Sequence, residues 1–75
     1  MIGMDNPLRV QFIEHRQTKY GPIDYTFIDG LTKEEIAFGS YNGAKGFDLI
    51  DYRSQVVTNY PSAAVAWGVL MRELV

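Results

Sequence analysis

The chain has no cysteine and a single histidine, His15, and these two scarcities exclude much metal and redox chemistry at the outset. Without thiols there is no disulfide staple, no thiolate nucleophile and no zinc ribbon or finger. One imidazole cannot supply the histidine cluster of a transition-metal site, so no metal or other cofactor is expected. Long apolar runs are missing too. Nothing approaches the roughly 20 residues needed to span a bilayer, so no membrane partner is expected. The first residues, Met1-Ile2-Gly3-Met4-Asp5, lack the basic start and apolar stretch of a secretory signal. These absences together point to a soluble, cytoplasmic protein.

Net charge is small as well: seven Lys and Arg against nine Asp and Glu give −2. Tight non-specific binding to duplex DNA draws on several neutralised phosphates and shows as a basic domain, so this balance disfavours nucleic acid. The charges are unevenly placed. Arg9, Arg16 and Lys19, with His15, lie in the first twenty residues, while Asp24, Asp29, Glu34, Glu35, Asp48 and Asp51 occupy the middle. That pattern is either an ordinary solvated surface or a polarised one that steers a basic partner.

What is present is globular: 75 residues, 47% hydrophobic and 13% aromatic, enough for one small domain over 1–75. A chain this short hides only about 60% of its surface on folding, so its core is small. Pro7 opens the first element, and Leu8, Val10 and Phe12 then alternate with Arg9, Gln11, Ile13 and His15, as a strand does. A turn over Gln17–Pro22 leads to a second alternating run, Ile23, Tyr25 and Phe27 against Asp24, Thr26 and Ile28. Thr32 and Glu35 have capping-box spacing, with Leu31 and Ile36 as a staple, which predicts one helical turn running into a short strand near Ile36–Tyr41. After the Asn42–Gly46 loop, Phe47–Arg53 and Gln55–Thr58 read as strands broken near Ser54. Pro61 suits the first turn of a helix continuing to the end of the chain. The expected fold class is α+β: a small antiparallel sheet of four or five strands with a C-terminal helix packed on one face.

That helix is the most informative element. At about 100° per residue, Ala63, Trp67, Leu70, Met71 and Leu74 share one stripe, with Trp67 at its centre as the expected largest contributor to the core. The opposite face carries Val65 and Val69, with Ser62, Arg72 and Glu73. A surface helix is normally polar opposite its core stripe, so a second apolar face predicts a second contact. Ala64 and Gly68 form a small pair that would let another backbone come close, and a mid-helix glycine costs about 1 kcal/mol against alanine.

Catalytic arrangements are sparse. His15 is the only available base for a nucleophile, no Gly-x-Ser-x-Gly elbow exists, and a core this small leaves little room for a substrate cavity of about 300 Å³. Asp48 and Asp51 would share a face only on a helix, and they lie in a strand-like segment. Lys45-Gly46-Phe47-Asp48-Leu49-Ile50-Asp51-Tyr52 resembles the aromatic octapeptide of the RNA-recognition-motif family. The resemblance implies base stacking by Phe47 and Tyr52, with Lys45 and Arg53 beside them, and a single-stranded nucleic-acid-binding module. Asp48 stands where that family has a small neutral residue, and Leu49 where it has a stacking aromatic.

The residues themselves favour a non-catalytic domain that binds a macromolecule, most simply a protein, and self-associates through its C-terminal helix as a homodimer or other homo-oligomer. Inhibitor, adaptor and assembly subunit all fit. Two surfaces compete for that role: the helix face of Val65, Gly68, Val69 and Arg72, and the sheet's open face or edge around Arg9, Ile13 and His15.

Overall fold

Two-residue alternation along most of the chain produces strands, and the computed structural model, which describes residues 9–74, contains five of them. They are β1 (Val10–Thr18), β2 (Gly21–Asp29), β3 (Glu35–Tyr41), β4 (Phe47–Asp51) and β5 (Val56–Tyr60). A 3-10 turn, Gly43–Lys45, joins β3 to β4, and a single helix, α1 (Ala63–Glu73), follows β5. The strands form one antiparallel sheet in the order β1-β2-β3-β4-β5, with α1 laid across one face. This is the expected α+β arrangement. Pro7 and Leu8, assigned from sequence to the start of the first strand, lie outside the described residues.

Cross-strand register shows how the core is assembled. On the helix side, Phe12, Phe27, Ala37, Asp51 and Val56 align across all five strands, and Glu14, Tyr25, Gly39, Leu49 and Thr58 form the next row. The central strand β3 contributes only small residues to these rows, Ala37 and Gly39. Its neighbours supply the bulk, and the largest fully buried side chains are Phe27, Phe47, Leu70 and Val10. A Cβ at Gly39 would run into the Phe47 ring, so the glycine makes the space that the ring fills. Phe27 and Phe47 meet edge to face at 6.2 Å.

The helix is fixed at its N-terminus and at its middle. Ser62 accepts from Val65 N as its N-cap, and the Tyr41 hydroxyl accepts from Ala63 N at 2.9 Å. Trp67 Nε1 donates to Val10 O at 2.7 Å, tying the helix to β1. Three expectations for this element need correction. Pro61 stands one residue before the cap, not in the first helical turn, and the helix ends at Glu73. The face pressed on the sheet centres on Ala63, Ala66 and Leu70, all buried, and Trp67 is only half-buried on the flank above β1. Small residues at the centre let the helix approach the sheet closely, and the large indole is displaced to the side.

The segment between β2 and β3 also differs. One i→i+4 turn does form, Lys33 N to Asp29 O at 2.8 Å, but it starts at Asp29. Asp29 Oδ1 accepts from Leu31 N and Thr32 N, the role assigned from sequence to Thr32. Lys33 then adopts a left-handed backbone, φ 66°, and β3 begins at Glu35.

Candidate functional site

A five-stranded meander has two free edges, and the two edges of this sheet are built differently. The β1 edge is charged and bent. It carries Glu14, His15 and Arg16, and Arg16 is left-handed with φ 50° and no register partner. Charge and irregularity of this kind keep a sheet edge from pairing with another strand. The β5 edge has neither protection. Its sequence is Val-Val-Thr-Asn-Tyr, its pairing to β4 is unbroken from Val56 to Tyr60, and its first four residues are exposed. Val56 and Val57 are 56% and 61% exposed.

The flank of α1 facing β5 presents Val69 and Leu70, with Glu73 at its C-terminal end. Between them lies a groove of about 260 Å³, lined by Leu49, Val56, Thr58, Tyr60, Val69 and Leu70, with Asp51, Ser54 and Glu73 at one end. Val65, one turn before Val69, is 44% exposed. The sequence reading of the helix thus divides: Val65 is open to solvent, while Val69 is half-buried in the groove. A Cβ at Gly68 would meet open space, so no neighbour within the described residues requires that glycine. Arg72 is exposed on the same outer side. Sequence inspection did not single out β5 as an uncharged sheet edge, yet a signal was there: residues 54–71 contain no charged side chain and no histidine.

The sheet face away from α1 carries two parallel rows. Ile13, Thr26, Phe38, Ile50 and Val57 align across all five strands, and beside them run His15, Asp24, Ser40, Asp48 and Asn59. The second row is a hydrogen-bonded ladder at its β2–β3 step, where the Ser40 hydroxyl donates to Asp24 Oδ1 at 2.6 Å. Arg16 donates to both oxygens of Asp24, through Nε to one and through Nη2 at 2.7 Å to the other. These bonds hold the Asp24 carboxyl at about 2, with Arg16 the main cause and Ser40 the next. A serine, an aspartate and a histidine are therefore adjacent, but in the wrong order for a nucleophilic relay. The Ser40 hydroxyl faces a carboxylate too weakly basic to take its proton, and His15 Nε2 is paired with Thr26 Oγ1 at 2.9 Å.

The residues proposed from sequence for the β1 side do not converge with those on the helix. Arg9 pairs with Asp29 at 3.2 Å, while Ile13 (48% exposed) and His15 lie on the open face of β1, with three strands between them and β5. Among the nucleic-acid candidates, Phe47 is fully buried beneath α1 and offers no ring face to a base. Tyr52 and Lys45 are exposed in separate turns, and Arg53 is engaged by Asp51 at 2.6 Å and Glu73 at 3.0 Å. Burial of Phe47 removes the stacking role that the octapeptide implied for it.

The expectation about space concerned the core, and the larger opening lies outside it. A groove of about 400 Å³ does exist, in front of the helix instead of inside the core. It forms because the β1–β2 hairpin reaches past α1, leaving Phe12, Tyr25, Phe27, Ala63, Ala64 and Trp67 around an opening with Glu14 at its rim. Burial raises the Tyr25 hydroxyl above the usual phenol range, and Glu14 is the one acidic residue among the lining groups. Among the described residues no group of three His, Asp or Glu could hold a metal ion, and no helix is long and apolar enough to cross a membrane. Comparison with family models, curated proteins and solved structures finds no match to this chain.

Proposed function

We propose that this chain is a non-catalytic, cytoplasmic protein-binding domain whose docking surface is the β5 edge together with the adjoining flank of α1. One observation carries the reading: an uncharged, regularly paired edge strand lies beside exposed Val65 and the groove containing Val69, while the opposite edge is guarded by charge and a backbone bend. Unprotected edges are rare in monomeric sheets because they recruit other strands, and those that persist serve as pairing sites. Exposed valines on both sides of the edge supply apolar area that backbone hydrogen bonds alone would lack. The absence of cysteine suits a reducing compartment. A domain with one open docking edge and, among the described residues, no catalytic constellation fits an adaptor or assembly subunit better than an inhibitor that must fill a cleft.

Photo-crosslinking from position 57 in the native source tests this reading. Cross-linked protein that disappears when Val65→Glu and Val69→Glu are introduced together supports it. An equal yield from position 57 and from position 17 on the opposite edge would refute it. Retained far-UV circular dichroism shows that the double variant is folded.

A further inference from the structure

We infer that the partner at the β5 edge is a second copy of this chain, paired antiparallel to β5 of the first about a two-fold axis at Thr58. The inference rests on the docking reading above and assigns it an occupant. Antiparallel self-pairing of Val56–Tyr60 about its middle residue sets Thr58 against Thr58, and each Val56 against the Tyr60 of the other copy. All three residues lie on the helix side, where they line the groove beside α1. Thr–Thr and β-branched–aromatic neighbours are among the cross-strand pairs that stabilise antiparallel sheets. On the other side Val57 comes opposite Asn59, and no charge meets a like charge anywhere along the strand. An isologous interface requires a patch that complements itself, and this strand meets that requirement in one register.

The same axis keeps both helices on one side of the joined ten-stranded sheet. The two α1–β5 grooves then face each other across the seam, with Val69 and Leu70 of each copy on their walls. The far edge cannot compete, because Arg16 interrupts the β1 ladder and Glu14 and His15 sit beside it. A dimer closed at β5 is therefore capped at both outer edges and does not propagate into a fibre.

Because the chain has no cysteine, a single introduced thiol reports the register directly. Residues directly opposed across an antiparallel ladder have Cα atoms about 4.5–5.5 Å apart, within disulfide range. Thr58→Cys in a glutathione buffer is expected to convert largely to a covalent dimer. Val57→Cys, offset from its own copy in this register, and Gln17→Cys, on the guarded edge, are expected to remain mostly monomeric. Sedimentation equilibrium of the cysteine-free chain is expected to show a dimer that Val57→Lys dissociates without altering the circular dichroism spectrum. A monomer at the highest soluble concentration, or equal cross-linking at positions 58 and 17, would overturn the second copy as occupant. If that monomer still cross-links another protein from position 57, the docking reading survives with a different partner. If it cross-links nothing there, both fail.

Discussion

Arg16 grips Asp24 from what should be the wrong side of the sheet. An unbroken pleat would place Arg16 beside Phe12 and Glu14, on the face that α1 covers, whereas Asp24 belongs to the open face with Thr26 and Ser40. The left-handed backbone at Arg16, φ 50°, swings the guanidinium across to its two-oxygen hold on the carboxylate. Left-handed φ is unfavourable for any residue with a Cβ, so the ion pair and the neighbouring ladder must hold it there.

Two replacements at this position separate the bend from the charge. Arg16→Gly removes the guanidinium but accepts φ 50° freely, while Arg16→Ala removes it and keeps the steric cost. Both variants should be less stable than the parent, with melting temperatures in the order parent, Arg16→Gly, Arg16→Ala. If Arg16→Ala melts at or above Arg16→Gly, the bend is imposed by the ion pair alone and relaxes once the pair is gone. Thermal unfolding followed by circular dichroism distinguishes these outcomes.

The same pair gives the protein an acid limit. Asp24, at about 2, lies below the ordinary aspartate value near 3.9, so the unfolded chain binds the proton first as pH falls. The stabilising contribution is thus complete above the unfolded value and is lost as pH drops through it toward about 2. Asp29 and Asp51 act in the same direction, Asp29 lowered chiefly by the Leu31 backbone N–H and Asp51 by the Arg53 side chain. Melting temperature should be flat from neutral pH to about 5 and fall between about 4 and 2. Asp24→Asn should make that fall shallower whatever its effect at pH 7, and an unchanged slope would show that Asp24 is not the controlling group.

Much of the architecture was legible because strands announce themselves by alternation. Phe12, Tyr25, Phe27, Phe47 and Leu49 all fall on the helix side as period two requires. What could not be read was a matter of competition between near-equivalent local signals. Asp29 and Thr32 can both cap a turn, and both do: Asp29 accepts from Leu31 N and Thr32 N, while the Thr32 hydroxyl accepts from Glu34 N, so the i→i+4 turn starts at Asp29. Trp67 has the greatest apolar area on α1, but area does not decide which residue can approach a sheet most closely; Ala63 and Ala66 do. The exposed β5 edge went unread for a different reason. A free edge is a property of topology, and only the strand order shows that, among the described residues, β5 has a strand neighbour on one side alone.

Gly68 provides a clean measure of helix propensity. Its absent Cβ would point into open space, and its φ is not positive, so alanine fits without rearrangement. Gly68→Ala should raise stability by about 1 kcal/mol, which for a domain of this size corresponds to a rise of roughly 4–8 °C in Tm. A loss of stability instead would mean that the outer side of α1 is covered in solution, and would be expected to grow with protein concentration.

Gly39 should behave in the opposite way, because the space beside it is already taken. The Phe47 ring occupies the position where a side chain at residue 39 would begin, and Phe47 is itself fully buried between β3 and α1. Neither the backbone of the central strand nor the packed ring can retreat, so Gly39→Ala should cost roughly 1–3 kcal/mol in urea unfolding. Phe47→Leu alone should also destabilise, by opening a void beneath the helix. Combined, the two changes should cost less than their sum, by about 1 kcal/mol, because the shorter leucine vacates the volume that the new methyl needs. Strict additivity would mean that Gly39 is required for its backbone alone and that the ring does not depend on it.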